Sequence, residues 1–484
     1  MKITPIELSS NQILYEQVAE RIQGLIHDRV LHPGDRLPSV RNLKAQLSIS
    51  TATVLEAYRL LEDRGLIVAR PQSGYYVKQM VLDFPQEPAP SQPPHQALTI
   101  DTSLAFQVLN AMQDRSQIQL GAAVPAIELM PLAKLSRLMG KLLRDDPHLA
   151  YAYGAPMGEE FLRSELAKRM LPAGCSVTPE AIVVTNGANE AIYLSLQAIT
   201  RPGDTVAIES PTYFAMLEAL KALQLQAWPL PTHPREGLSL LHLEAALKIG
   251  KINACMVVSN FSNPLGCCME DDRKKALVEL LNRYDVPLIE DDAYGELSFQ
   301  GPRPKAIKAF DTENRVLYCS SVSKTIAPGL RIGWCAPGRY QQSFSEMKSI
   351  LNQCTSVPSQ LTVAAFLSNG GYDRHLRHLR HTYQVQMQKM IQALSDTFPS
   401  ETRVTRPCGG HVLWVELPEP FSGLKLYEAA LEHQICIAPG LMFSPSGQQY
   451  TNCFRLNTAL PWTETIAKAV ETLGRLAREQ LENI

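Results

Sequence analysis

A lysine stands among hydroxyl residues in the run Ser320-Ser321-Val322-Ser323-Lys324-Thr325, and Arg331 follows seven positions later. A lysine amine can form an imine with an aldehyde, and a phosphorylated aldehyde needs hydroxyls and a guanidinium around its phosphate. Lys324 with Ser321, Ser323 and Arg331 offers both within one loop. That loop directly follows the strand-like Arg315-Val316-Leu317-Tyr318-Cys319.

Pyridoxal phosphate makes further demands: an acid for its pyridine nitrogen, donors for its 3-hydroxyl, a ring to stack on, and a phosphate cup. Glu290-Asp291-Asp292-Ala293-Tyr294 ends an apolar run, the position where α/β proteins place their sites. Asp291 can hold the nitrogen's proton there, and Tyr294 can donate to the ring oxygen. Asn263, in Ser262-Asn263-Pro264-Leu265-Gly266, can bond the same oxygen. Tyr213 follows another apolar run and offers a stacking face. Gly187, Ala188 and Asn189 lie between a strand and a helix, where backbone amides bind phosphate. Each signal alone has a plainer reading. A strand-end Asp-Asp also suits a metal, Asn-Pro-x-Gly is also a turn, and a lysine among serines is also a surface residue. Their order, each after a strand, selects the cofactor, and no metal site is expected.

The elements that must position these residues are legible. Apolar runs at Ile182–Thr185, Val206–Glu209, Cys255–Val258, Pro287–Glu290, Val316–Cys319 and Ile332–Cys335 alternate with helical patterns such as Ala188–Ile199 and Asp271–Tyr284. That alternation predicts a parallel sheet covered on both faces. From about Glu401 shorter strands (Val412–Val415, Ile435–Ala438, Asn452–Leu456) and a helix near Glu464–Glu479 predict a smaller α+β part.

The start of the chain has a different texture. Leu14, Val18, Ile22, Leu25 and Ile26 fall at helical spacing. Pro33-Gly34-Asp35 reads as a turn, and Ser39 caps a short helix through Leu47. Ser50 opens a third helix to about Asp63, which Gly65 stops. Leu66-Ile67-Val68 and Tyr75-Tyr76-Val77 form a hairpin around Arg70-Pro71-Gln72-Ser73-Gly74. Helix, helix, turn, helix, hairpin is a winged helix-turn-helix over residues 1–80. Ser50, Thr51, Thr53, Tyr58 and Arg59 on the third helix are candidates to reach bases or phosphates. Ser39 and Arg41 before it, and Gln72, Ser73 and Gly74 in the wing, are candidate backbone or groove contacts. Winged helices also dock proteins, and ten cations against eight anions in residues 1–78 give only a weak basic field. Residues 81–117, with Pro85, Pro88, Pro90, Pro93 and Pro94, read as a stiff tether, with order resuming near Ile118.

The bulk numbers agree with several domains. The 484 residues exceed one ordinary domain, and the net charge of −2 gives no global attraction to nucleic acid. No apolar run spans a bilayer, and ten scattered cysteines without a leader-like start read as reduced thiols in the cytoplasm.

Two resemblances sharpen this reading. Leu14-Tyr15-x-Gln17-Val18, Pro33 through Arg41, Ala57-Tyr58-x-x-Leu61 and Gly65-Leu66-Ile67 resemble the N-terminal domain of GntR-type regulators. Thr51 stands where many members carry arginine, which withdraws that arginine's contact and any borrowed operator sequence. Ser321-Val322-Ser323-Lys324, Asn263-Pro264-x-Gly266, Asp291-x-x-Tyr294 and Arg455 in Phe454-Arg455-Leu456 resemble class I/II aminotransferases of fold type I, over roughly residues 118–480. That resemblance implies Lys324 as the imine lysine and Asp291 as the pyridine-nitrogen partner. It implies Asn263 and Tyr294 on the 3-hydroxyl, and Ser321, Ser323, Arg331 and the amides of Gly187 and Ala188 on phosphate. Tyr153 is similar to the tyrosine that reaches the neighbouring subunit's phosphate, and Arg455 to the arginine that clamps a substrate α-carboxylate. The whole order resembles the MocR subgroup of GntR regulators. It implies a head-to-tail homodimer that reads a double-stranded DNA operator and senses an amino compound, or pyridoxal phosphate itself, at the cofactor imine. A working aminotransferase with an appended autoregulatory DNA-binding domain remains the alternative.

Overall fold

The computed structural model describes residues 13–27, 30–31, 34–64, 66–70, 73–77, 85–114 and 116–482. The chain divides into two compact units, Met1–Phe84 and Pro85–Ile484.

In the first unit, α1 (Leu14–His27), α2 (Val40–Leu47) and α3 (Thr51–Asp63) precede a hairpin of β1 (Ile67–Arg70) and β2 (Gly74–Val77). Caps set the helix starts. The Ser39 hydroxyl accepts from Asn42 N–H at 3.2 Å, and the Ser50 hydroxyl from Thr53 N–H at 3.0 Å. Ser48, in the left-handed conformation, closes α2 and turns the chain into α3. Val18, Ile22, Leu43, Val54, Ala57, Leu61, Ile67 and Val77 form the core. The proposed stop at Gly65, the Pro33 turn residue and the wing candidate Gln72 lie outside the described residues.

The second unit is built on an eight-stranded sheet. Its strands are β4 (Val183–Thr185), β5 (Thr205–Ser210), β6 (Gln226–His233), β7 (Gly237–Leu238), β8 (Ala254–Val258), β9 (Leu288–Asp291), β10 (Val316–Ser321) and β11 (Gly333–Ala336). A short strand β3 (Ile118–Gln119) precedes them and pairs elsewhere. The spatial order is β4-β11-β10-β9-β8-β5-β6-β7. Strands β6, β5, β8, β9 and β10 are parallel, buried and apolar on both faces. The sheet is not wholly parallel. β11 returns from the Lys324 loop too soon for a crossover and runs antiparallel to β10 and β4. The sequence pattern predicts no strand at Gln226–His233, because Pro229 and Pro231 interrupt the apolar run. They are accommodated near the sheet's edge, where fewer ladder partners require an N–H.

The smaller part carries β12 (Arg403–Val404), β13 (Val412–Glu416), β15 (Ala438–Pro439) and β16 (Cys453–Asn457) in one antiparallel sheet. Strand β14 (Ile435–Cys436) pairs instead with β3. The helix Gly371–Thr397 connects the two parts, and Glu464–Glu482 packs against it.

The proline-rich stretch departs from the expected tether. From residue 85 it belongs to the second unit. Leu98 exchanges backbone hydrogen bonds with Ala227 of β6 at 2.8 and 3.1 Å, and Thr232 N–H donates to the Ser91 hydroxyl at 2.8 Å. The helix Ser103–Ala111 buries Ala105 and Val108 in the core that holds Trp414 and Phe443. Composition favours an extended chain there. It cannot show that a sheet edge waits to pair with it.

Candidate functional site

The named residues converge at the carboxyl ends of the strands. β4 leads into Asn186-Gly187-Ala188, β5 into Tyr213, β8 into the Asn263 loop, β9 ends on Asp291, and β10 runs into Lys324. Cys319 of β10 pairs with Asp291, which in turn pairs with Val258 of β8, so these strand ends sit side by side.

Lys324 is partly buried. Its Nζ donates to Ala123 O at 2.7 Å and lies 5.9 Å from the Tyr294 ring centroid. Burial first, then the Arg455 and Arg331 charges, pull its pKa down to about 8, with Asp291 opposing. Asp291 is buried, and its Oδ1 accepts from Ala293 N–H at 3.0 Å. Burial pushes its carboxyl up to about 7. Asp292, its neighbour, faces a different network. It pairs with buried Arg303 and accepts from Tyr318 at 2.9 Å and Asn260 at 2.9 Å. Alternation along the strand thus separates one carboxylate facing the site from one held by the scaffold.

Arg455 of β16 enters from the smaller part and is fully buried. Its Nη1 donates to Asn263 Oδ1 at 2.8 Å, its Nη2 donates to Gly121 O, and its guanidinium carbon lies 5.0 Å from the Phe443 ring centroid. Gly121 lies tight against the neighbouring strand segment: a Cβ there would stand 2.5 Å from the Ile437 carbonyl carbon. Tyr294 is buried and Tyr213 is partly so. Burial raises both phenols' pKa values.

The phosphate candidates form a second cluster. Gly187 caps the helix Ala188–Ile199 with φ 87°, a conformation open to glycine, and a Cβ there would meet Arg331 Nη2 at 2.5 Å. Arg331 Nη2 donates to Asn186 O at 2.8 Å. Ser321 and Ser323 are buried beneath, and the Ser321 hydroxyl accepts from Ser323 N–H at 3.4 Å. Tyr153 stands apart, 87% exposed, in the loop after the helix Pro147–Tyr151.

Three further residues at the site carry no sequence signal that assigns them to it. Ala123 and Gly121 come from the segment after β3, which has no chemical character of its own. His411 is fully buried, with its ring 5.3 Å from Tyr294 and 5.4 Å from Tyr383. Its Nδ1 meets Asn457 Oδ1 at 3.1 Å, and burial depresses its pKa to about 3, so the ring is neutral at physiological pH. Arg455 Nε, His411 Nε2 and the Tyr383 hydroxyl are buried without a protein hydrogen-bond partner. A lysine, an acid, a stacking ring, a helix-start cup and polar groups held in reserve fit a phosphorylated pyridine aldehyde.

In the first unit, Ser39, Arg41, Ser50, Thr51 and Arg59 are exposed, and Thr53 is partly so. Arg59 is engaged by Glu56 at 3.2 Å. Ser73 bonds the Tyr76 hydroxyl at 2.6 Å, and Gly74 is exposed with φ 103°. Tyr58 must be withdrawn as a DNA contact. It is fully buried, and its hydroxyl donates to Pro38 O at 2.6 Å. Position 58 falls on the helical stripe of Val54, Ala57 and Leu61, which faces the core. Sequence pattern also gives no role to Arg36. Its guanidinium and that of Arg70 flank the Tyr76 ring at 6.0 and 4.5 Å, a paired cationic feature of the wing.

A winged helix joined to a transaminase-type sheet and site defines a two-module class of protein. The family described as "Aminotransferase class I and II" matches residues 118–473, and "Bacterial regulatory proteins, gntR family" matches residues 14–77. The chain is 41% identical to the uncharacterized HTH-type transcriptional regulator YdcR of Escherichia coli (strain K12), covering 96% of this chain and 99% of that one. The multiple substrate aminotransferase of Thermococcus profundus superposes with a TM-score of 0.73 at 30% identity, covering 80% of this chain and 97% of that one. The α-aminoadipate aminotransferase LysN of Thermus thermophilus, solved with N-(5'-phosphopyridoxyl)-L-leucine, superposes with a TM-score of 0.73 at 28% identity, over 80% and 97%. The chain belongs to the MocR-type GntR regulators, a DNA-binding helix-turn-helix fused to a class I and II aminotransferase module whose cofactor is pyridoxal 5'-phosphate. Among the described residues no helix is long and apolar enough to cross a membrane.

Proposed function

We propose that this regulator senses an amino compound bearing an α-carboxylate at its cofactor site and converts occupancy into a change in operator binding. The observation that carries this is Arg455, a fully buried guanidinium in the pocket of Lys324 with one N–H unpartnered. A planar fork held at that depth suits a carboxylate. The cofactor supplies an aldehyde and an electron-withdrawing ring. Lys324, with its pKa at about 8, keeps roughly a tenth of its amine neutral and nucleophilic at pH 7. Asp291 is placed to hold a ring-nitrogen proton, Asn263 and Tyr294 to bond the ring oxygen, and Tyr213 to stack. Ser321, Ser323, Arg331 and the Gly187 and Ala188 amides, beside Asn189, are the proposed phosphate cup.

DNA contact is assigned to Ser39, Arg41, Ser50, Thr51, Thr53 and Arg59, with Ser73, Gly74 and the Arg36–Arg70 pair in the wing. A head-to-tail homodimer is supported by exposed apolar residues in one stretch, including Leu149, Tyr151, Tyr153 and Phe161. In that dimer Tyr153 reaches the partner's phosphate. Such a protein acts in the cytoplasm, where its operator is. Catalytic turnover is the second reading, favoured by the presence together of Lys324, Asp291 and Arg455.

Titration of the purified protein with amino acids and the corresponding amines, followed by cofactor absorbance and operator affinity, tests this. A spectral change that shifts operator affinity without keto-acid turnover supports the sensor. Rapid multiple turnovers with no effect on DNA binding would reverse the ranking.

A further inference from the structure

Glu190 is the third residue of the helix Ala188–Ile199, and it turns back on the phosphate cup. Its Oε2 accepts from Asn186 N–H at 2.5 Å and its Oε1 from Asn186 Nδ2 at 3.4 Å. This grip orders the residue whose carbonyl receives Arg331 Nη2. A carboxylate at a helix start stabilises the helix, yet it occupies the positive end that a phosphate also uses. Two anions within one turn repel, and burial strengthens the repulsion.

Lys348 meets that difficulty. It is fully buried on the helix Gln341–Asn352, with Nζ 3.1 Å from Glu190 Oε2. Its other bonds run to Asn352 Oδ1 at 2.6 Å and Thr355 Oγ1 at 3.0 Å. Asn352 Nδ2 also donates to Glu190 Oε1, and Thr355 donates to Val184 O of β4 at 3.4 Å. An exposed capping glutamate needs no such partner, and burying an ammonium is costly unless its pairing serves an end.

We propose that Lys348 is a positioning residue for the cofactor phosphate: it neutralises Glu190, so that Glu190 can order the Asn186–Ala188 cup without repelling the phosphate. The inference rests on the cofactor reading above.

The test titrates the full-length apo protein with pyridoxal 5'-phosphate and with pyridoxal, the same aldehyde without phosphate, by absorbance. Lys348→Met weakens pyridoxal phosphate binding by about tenfold or more and pyridoxal by less than about twofold. The double variant Glu190→Gln with Lys348→Met recovers most of the loss. Should Lys348→Met fail to fold, Lys348→Gln, which keeps a donor in place, gives the same comparison. Equal losses for both aldehydes, no loss for either, or a double variant as weak as the single overturns the inference. Wild-type protein that takes up neither aldehyde instead overturns the cofactor reading itself.

Discussion

Arg455 and Asn263 are joined by a hydrogen bond of 2.8 Å between a strand of the smaller part and a loop of the large sheet, 192 residues apart in sequence. One side chain is proposed to bind the effector and the other the cofactor ring oxygen. Their bond gives occupancy of either a direct route to how the two parts meet.

Arg455→Lys retains the charge and loses the planar fork. Its affinity for α-amino acids falls by roughly ten- to a hundredfold, while affinity for amines lacking the carboxylate changes little. Spectral titration with matched pairs checks this. Equal loss for both sets would assign Arg455 to the scaffold.

Lys324→Ala abolishes the visible absorbance of covalently held cofactor. It leaves operator binding in the absence of effector within about twofold, because the winged helix belongs to a separate compact unit. Fluorescence anisotropy on operator DNA, with absorbance on the same samples, decides it. Loss of binding with an intact fold would make the loaded cofactor a condition of the DNA-competent state.

Arg41→Ala and Arg70→Ala weaken binding about equally on operator and unrelated DNA, and each reduces the salt dependence by about one phosphate contact. Arg41 is exposed beside the α2 cap, and Arg70 stacks on Tyr76 at the wing. A loss confined to the operator would show base recognition instead.

Tyr58→Phe tests the reassignment of that residue. Removing the hydroxyl's bond to Pro38 O costs about 1 kcal/mol of stability in the first unit, and operator preference is unchanged. Urea denaturation and anisotropy on point-substituted operators report the two halves separately.

His411 sets an acid limb. Its folded pKa of about 3 lies below the ordinary 6.5, so the unfolded chain binds the proton first. The stability contribution is complete above pH 6.5 and declines toward pH 3, at up to about 1.4 kcal/mol per pH unit. His411→Gln, which can keep a bond to Asn457, flattens the fall in the urea midpoint between about pH 6.5 and 5. An unchanged slope would place the acid limb on other groups.

Particular residues show where reading the sequence succeeds and where it stops. The strands that carry Glu290 and Cys319 are legible, to within a residue or two at their ends, because parallel strands buried on both faces leave unbroken apolar runs. Strand β6 is hidden by Pro229 and Pro231, whose cost depends on whether a neighbour needs their N–H. Glu190 could have been found, since a glutamate three residues after a helix cap is a local pattern. Lys348 could not, because a lysine becomes informative only when it is seen to be buried.

Residue type and order along the chain determined the two modules and the cofactor, and nominated the lysine, acid and phosphate loop proposed to hold it. Those properties are local: each motif is a short run whose chemistry follows from neighbouring residues and the strand before it. Tertiary structure decided everything that depends on distance through space. It separated Asp291 from Asp292, buried Tyr58 and laid the proline-rich segment on a sheet edge. It also brought Ala123 onto Lys324, gathered Gly121, His411 and Arg455 around the same site, and set Lys348 against Glu190. Burial changes the energy of a charge or a hydroxyl far more than its sequence neighbours do, and burial exists only once distant segments have packed.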